Sequence, residues 1–191
     1  MIILISGSSR TGKTLMAQTL LENYHIPYLS IDHLKMGLYR ANPECGFTPL
    51  DSTEHIGETL WPILKGIIMT NIENKQNLII EGCYILPEYI HDFEEEYAEK
   101  IVSVFLGFSR AYIDNSLVSH IFGHQSVIED RGDPEEEHFI SEYRSEHDAF
   151  RSQCLGSGAA YFEINENYEN EIVKVYDYIA SQIQAKTAGS Q

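Results

Sequence analysis

Residues 7–14 read Gly7-Ser8-Ser9-Arg10-Thr11-Gly12-Lys13-Thr14, a complete G-x-x-x-x-G-K-[ST] phosphate loop. The apolar run before it, residues 1–6, predicts a buried strand, and Lys13–Tyr24 after it predicts a helix. In such a strand–loop–helix arrangement, the backbone N–H groups of the loop can converge on a phosphate. Lys13 can then reach the β and γ oxygens, and Thr14 can reach a magnesium ion. The motif predicts a nucleoside triphosphate site, whereas an ordinary glycine turn is the alternative interpretation.

Short apolar runs alternate with longer amphipathic stretches along the rest of the chain, which is typical of a parallel α/β sheet. The apolar runs predict five strands, at residues 2–6, 28–31, 78–81, 101–106 and 161–164. The amphipathic stretches predict helices at residues 13–24, 33–40, 54–74, 88–98 and around 172–183. The chain has 191 residues, which is enough for one domain spanning residues 1–191.

One region departs from this alternation, because the fourth and fifth predicted strands are separated by more than fifty residues. Residues 107–156 are interpreted either as a solvated acidic helix pair or as a lid that closes over the nucleotide, and we favour the lid. The predicted fold class is therefore α/β, a three-layer phosphate-loop NTPase fold with a five-stranded parallel sheet and a helical lid insertion.

The charge of the chain limits its partners. Thirteen Lys and Arg against 29 Asp and Glu give a net charge of −16, so nucleic acid and anionic membranes, which need a basic face, are not expected. The chain begins within its first predicted strand and has no apolar run long enough to span a membrane. We expect a cytoplasmic protein, and the sequence predicts no particular oligomeric state.

Two carboxylates follow buried strands and are predicted to join the phosphate loop. Glu81 ends the third strand, where a carboxylate of the magnesium shell belongs; the alternative is a glutamate that faces solvent. Asp32 follows the second strand and would face the same crevice as Lys13. A carboxylate there can accept the proton of an attacking hydroxyl group, but aspartate is also a good helix cap.

Arginines are needed to stabilise the developing charge in phosphoryl transfer, and this chain has few of them. Arg10 lies within the phosphate loop, and Arg131 and Arg110 in the proposed lid are the next candidates. Each could instead pair with neighbouring acids. Arg40 ends the helix after Asp32 and is a candidate contact for the acceptor.

Taken together, these motifs resemble the small-molecule kinases of the phosphate-loop superfamily, which are built like adenylate kinase. The first fourteen residues look like those of chloramphenicol phosphotransferase, in which an aspartate after the second strand serves as the base, and Asp32 matches it. Residues 80–87, IEGCYILP, look like the I-E-G-x-H-x-x-P stretch of 2-phosphoglycerate kinases, with Tyr84 in place of the histidine. The resemblance implies an acceptor site beneath residues 33–75 and a lid after strand four. Asp114 and Asn115, however, stand where family lids commonly carry arginines.

The predicted function is an ATP-dependent phosphotransferase that acts on a hydroxyl group of a small-molecule metabolite, with ATP and Mg²⁺ bound by residues 7–14 and Glu81. ATP is expected rather than GTP, because no N-K-x-D guanine clamp follows a late strand. Two alternatives remain open. A nucleoside-monophosphate kinase would need several arginines around its acceptor, and an ATP-binding switch without phosphoryl transfer would need few.

Overall fold

The computed structural model describes residues 1–117 and 134–188. Its centre is a five-stranded parallel sheet with the strand order β2-β3-β1-β4-β5. The strands are β1 Ile2–Gly7, β2 Tyr28–Ser30, β3 Leu78–Glu81, β4 Ile101–Phe108 and β5 Tyr161–Ile164. All five predicted strands are present, and the predicted parallel α/β class is confirmed.

Helices connect the strands. In chain order they are α1 Lys13–Tyr24, α2 Ile31–Ala41, α3 Thr53–Glu73, α4 Glu95–Ala98, α5 Arg110–Tyr112, α6 Pro134–Ser157 and α7 Tyr168–Ala188. A 3₁₀ turn spans Pro87–His91, and a π-helical turn, Ile113–Leu117, continues α5. Among the described residues, none of these helices combines the length and apolar character of a membrane span.

The sheet is covered on both faces, which explains why its strands are mostly apolar. Ile2 and Leu4 of β1 point into a core that α3 covers, whereas Ile3 and Ile5 point into a second core between the sheet, α1 and α7. α6 packs against β4, where Phe150 and Cys154 contact the fully buried Phe105. The carboxyl-terminal part of region 107–156 is therefore a helix anchored to the core.

The prediction of one helix over residues 88–98 is wrong, because this segment forms the 3₁₀ turn and the short α4. The break lies at Asp92, whose carboxylate accepts a 2.6 Å hydrogen bond from the indole N–H of Trp61. Trp61 also stacks on Tyr89, with ring centroids 4.3 Å apart, and meets the edge of Phe93 at 5.7 Å. These contacts with α3 hold the chain out of a continuous helix.

Candidate active site

Glycines let the phosphate loop curve tightly between β1 and α1. A Cβ atom on Gly7 would lie 2.3 Å from the carbonyl oxygen of Leu106, so β4 can approach β1 this closely only at a glycine. Gly12 has a φ of +82° and immediately precedes α1, and Arg10 also has a positive φ, of +61°. The loop thus reaches the helix start in the conformation that gathers N–H groups around an anion.

Lys13 folds back on the loop that carries it. Its Nζ donates a 2.7 Å hydrogen bond to the carbonyl oxygen of Ser8. Burial lowers the pKa of Lys13, and nearby acidic groups, including Glu81, oppose that shift. A phosphate beside Nζ would provide the counter-charge that favours the ammonium form.

Thr14 and Glu81 are brought together at the carboxyl ends of β1 and β3. The hydroxyl group of Thr14 donates a 3.2 Å hydrogen bond to Oε2 of Glu81. Glu81 is 1% exposed, which rules out the alternative of a glutamate facing solvent. Its Oε1 has no hydrogen-bond partner within the described residues. Buried oxygens of this kind are suitable ligands for Mg²⁺, and an unpaired one indicates that a bound group completes the site.

Asp32 faces the loop across a cavity of about 330 Å³, which is lined by loop residues 9–14 together with Leu15, Asp32, Glu81 and Cys83. We call it the phosphate cavity. Because α2 begins at Ile31, the N-cap residue is Ser30, and Asp32 lies in the first turn. The alternative that Asp32 caps this helix is therefore wrong. Its side chain is 59% exposed, so it can reach a ligand.

Lys35 and Tyr84 both contact the carboxylate of Asp32. Nζ of the buried Lys35 lies 3.3 Å from the Asp32 carboxylate and donates a 2.5 Å hydrogen bond to the hydroxyl group of Tyr84. Burial alone would lower the pKa of Lys35, but the hydrogen bonds and charges of Tyr84 and Asp32 raise it. Burial likewise raises the pKa of Tyr84 to about 12. Lys35 was not singled out from the sequence, although its spacing of three from Asp32 on a helix was a usable signal.

α6 also contacts the phosphate loop, which the sequence analysis did not foresee. The hydroxyl group of Tyr143 donates a 2.7 Å hydrogen bond to the carbonyl oxygen of Ser9. The N–H group of Ser9 donates a 3.1 Å hydrogen bond to Oε1 of Glu146. A carboxylate thus contacts one of the loop amides that a phosphate would otherwise contact.

His147 is buried beside these residues. Its Nδ1 accepts a 3.0 Å hydrogen bond from the backbone N–H of Phe108, and burial lowers its pKa to about 4. The imidazole is therefore neutral at pH 7, and its proton is on Nε2. Nε2 has no hydrogen-bond partner in the part of the chain that the structure describes.

Three described arginines on or next to α6 pair with acids, and for Arg110 this is the alternative interpretation given above. Arg110 pairs with Asp148, Arg144 with Asp114, and Arg151 with Glu163. Arg40 is exposed at the end of α2 and does not line the phosphate cavity. Arg131 lies outside the described residues.

A second cavity, of about 180 Å³, lies between the phosphate loop, the start of α3 and α6. Gly7 and Ser8 form its loop side, and Cys83 lines both this cavity and the phosphate cavity. We refer to it below as the second cavity. The two cavities therefore adjoin at Cys83.

Solved structures with the same fold share little sequence identity with this chain. A candidate kinase from Chloroflexus aurantiacus matches 97% of this chain and 96% of its own, with a TM-score of 0.59 and 18% identity. A shikimate kinase from Bacteroides thetaiotaomicron matches 94% and 98%, with a TM-score of 0.51 and 17% identity. A gluconokinase from Sinorhizobium meliloti matches 99% and 97%, with a TM-score of 0.50 and 15% identity. No family model and no curated protein matches the chain. The chain therefore has the same fold as these proteins.

Proposed function

We propose that this protein is an ATP-dependent kinase that transfers the γ-phosphoryl group to a hydroxyl group of a small molecule. The observation that carries the proposal is the phosphate cavity, in which Lys13, Thr14, Glu81 and Asp32 converge. Phosphoryl transfer needs a phosphate cradle, a metal shell and a group that positions the nucleophile, and these four residues match those parts.

The loop would bind ATP through its amide groups and Lys13. Thr14 and Glu81 would hold Mg²⁺, and the unpaired Oε1 of Glu81 supports this role. When bound, the ion would neutralise charge on the β- and γ-phosphate oxygens. Arginines were predicted to stabilise the developing negative charge. Arg10 lies in the phosphate loop itself, and we also propose this role for Arg131.

Asp32 would act as the general base. The acceptor oxygen attacks the γ-phosphorus, the bond from that phosphorus to the β–γ bridging oxygen breaks, and ADP leaves. The hydroxyl proton passes to the Asp32 carboxylate, which Lys35 and Tyr84 orient. The nucleotide would be enclosed by the proposed lid, residues 107–156, of which α6 already contacts the loop.

The second cavity is our candidate for the acceptor site. It adjoins the phosphate cavity at Cys83, and the start of α3, within the region 33–75, forms one of its walls. The shikimate kinase and gluconokinase with this fold are named for small-molecule acceptors, which supports an acceptor of that size. Arg40 lines neither cavity, and it remains a proposed contact for the acceptor. We also propose that residues 1–191 form a single domain.

The ATP-binding switch stays a second candidate because Glu146 accepts a hydrogen bond from the loop amide of Ser9. A nucleoside-monophosphate kinase gains no support, since the arginines that pair with acids around α6 would have to leave their partners to bind an acceptor phosphate.

The test is ADP release from Mg²⁺ and ATP in the presence of a broad panel of hydroxyl compounds. We expect ADP release that depends on one class of acceptor and a phosphorylated product with a phosphate ester. ATP binding without turnover of any acceptor would instead support the switch. Failure to bind ATP at the loop would contradict both proposals.

A further inference from the structure

Among the described residues, the lining of the second cavity includes carboxylates but no Lys or Arg side chain. Its charged residues are Glu54, in the first turn of α3, and Glu146 of α6. The other lining residues are uncharged, and Leu86 and Phe150 give it apolar surface. A carboxylate or phosphate group on an acceptor would therefore enter beside two like charges, and it would have to share Lys13, which is hydrogen-bonded to the Ser8 carbonyl oxygen, with the phosphates of ATP. This arrangement is unfavourable for an anion in a partly enclosed site.

The described arginines on and next to α6 already have acidic partners. Arg144 and Arg151 lie on α6, and their side chains form ion pairs with Asp114 and Glu163. Arg110 pairs with Asp148 of the same helix. To bind an anionic acceptor, each would have to leave its own carboxylate.

An independent observation indicates that a polar ligand fills this cavity. Ser8 lines it, is only 2% exposed, and its hydroxyl oxygen has no hydrogen-bond partner among the described residues. A buried hydroxyl group without a partner is costly. Since Ser8 belongs to the phosphate loop, the ligand group that completes its hydrogen bonding would lie close to the transferred phosphoryl group.

We infer that the acceptor is an amine-bearing hydroxyl compound, such as an amino sugar or an amino alcohol, and that the second cavity binds its ammonium group through Glu54 and Glu146. The inference rests on the proposed function and names the acceptor class for the same site. The carbon skeleton packs on Leu86 and Phe150, and the reacting hydroxyl end points to Ser8 and the phosphate cavity.

The physical basis of this selectivity is charge-assisted hydrogen bonding. An ammonium group offers three N–H donors, and carboxylates accept them in shorter and stronger bonds than neutral oxygens do. The cavity volume of about 180 Å³ corresponds to about six water molecules at their liquid volume. It suits a molecule of monosaccharide size rather than a nucleotide.

The test compares acceptors that share a skeleton and differ in one group. Glucosamine, glucose and glucuronate form one set, and serinol, glycerol and glycerate form another. With Mg²⁺ and ATP, we expect kcat/KM for the amine to exceed that of the neutral compound by about tenfold and that of the acid by about a hundredfold. Equal or faster transfer to the acids would overturn the inference while leaving the kinase proposal intact.

Glu54→Gln provides the residue-specific test, with Glu58→Gln as its matched control. Glu58 is an exposed residue one turn further along α3 and does not line the cavity. We expect Glu54→Gln to raise KM for the amine by about tenfold with little change in kcat, and to leave KM for the neutral compound unchanged. Glu58→Gln should have no effect on either. Equal behaviour of the two variants would contradict the assignment.

Calorimetry separates failure of this inference from failure of the proposed function. The amines are titrated into the protein loaded with Mg²⁺ and a non-hydrolysable ATP analogue. Binding that weakens in Glu54→Gln but is followed by no phosphoryl transfer from ATP would support the cavity assignment and contradict the kinase. Absence of amine binding to a protein that binds the analogue would overturn the inference.

Discussion

The hydroxyl group of Tyr143 donates a hydrogen bond to the carbonyl oxygen of Ser9, 2.7 Å away and 134 residues earlier in the chain. One turn later on α6, Glu146 accepts a hydrogen bond from the N–H group of the same Ser9. α6 is therefore attached to both backbone groups of a phosphate-loop residue. A phosphate that took the N–H group of Ser9 would therefore have to displace Glu146 from it.

Glu146→Gln should strengthen ATP binding. The glutamine keeps an oxygen for the Ser9 amide but removes a negative charge that opposes the triphosphate. Because the charge is partly screened, we expect a Kd for Mg²⁺–ATP analogue about three- to tenfold lower, measured by calorimetry at low salt. Glu169→Gln removes the same charge from an exposed position on α7 and should leave Kd unchanged. Weaker binding by Glu146→Gln would show that this carboxylate assists the nucleotide.

Lys13→Ala should lower ATP turnover by about a hundredfold or more, because the only ammonium group of the phosphate-loop motif is lost. The fold should persist, since Lys13 hydrogen-bonds to its own loop and not to the core. ADP release and circular dichroism measure the two effects. Lys174→Ala, at an exposed position on α7, is the control. If Lys13→Ala retained turnover, the proposal that the phosphate loop takes part in the reaction would be wrong.

Asp32→Asn should lower kcat by about 10²–10⁴-fold, which is the usual contribution of a general base. The amide keeps the size of the side chain but cannot take the acceptor proton. Since Lys35 loses its anionic partner, stability is measured in parallel by urea unfolding. Asp177→Asn, exposed on α7, serves as the control. A loss of less than about tenfold would exclude general-base catalysis by Asp32.

His147 should make the protein less stable as the pH falls below neutrality. Burial lowers its pKa from 6.5 to about 4, so between these values the unfolded chain binds a proton that the folded protein does not. The free energy of unfolding should drop by about 2 kcal/mol from pH 7 to pH 5 through this residue.

His147→Asn tests this contribution, because its side-chain oxygen can still accept the hydrogen bond from Phe108 but cannot titrate. Urea unfolding at pH 5, 6 and 7 should show a smaller dependence on pH in the variant than in the wild type. An identical dependence in both proteins would contradict the assignment.

The sheet could be predicted from the sequence because its strands are short, mostly apolar runs separated by longer amphipathic stretches. The phosphate loop could also be recognised from the sequence, because its glycines and Lys13 occur at the fixed spacing of the motif. The position of Glu81 and Asp32 near the loop could be predicted because both lie at strand ends, and parallel strands end at one edge of the sheet.

The other half of the site could not be predicted, because it depends on how distant segments pack. Tyr143 and Glu146 lie in a stretch that was interpreted as a lid or a solvated acidic helix pair, and neither interpretation identifies these two residues. Their contact with Ser9 exists because Phe150 and Cys154 dock α6 on β4. The break at Asp92 has the same origin, since it depends on Trp61, which is distant in sequence.

The contact between Trp61 and the 3₁₀ turn gives the protein a built-in optical probe. Trp61 is the one tryptophan in the chain, and it lies two turns after Glu54 on the helix that borders the second cavity. Its indole is stacked on Tyr89 and hydrogen-bonded to Asp92, so its emission will respond when α3 shifts relative to that turn. Fluorescence of the unlabelled protein can therefore report a movement of α3 against this turn in real time when a ligand binds.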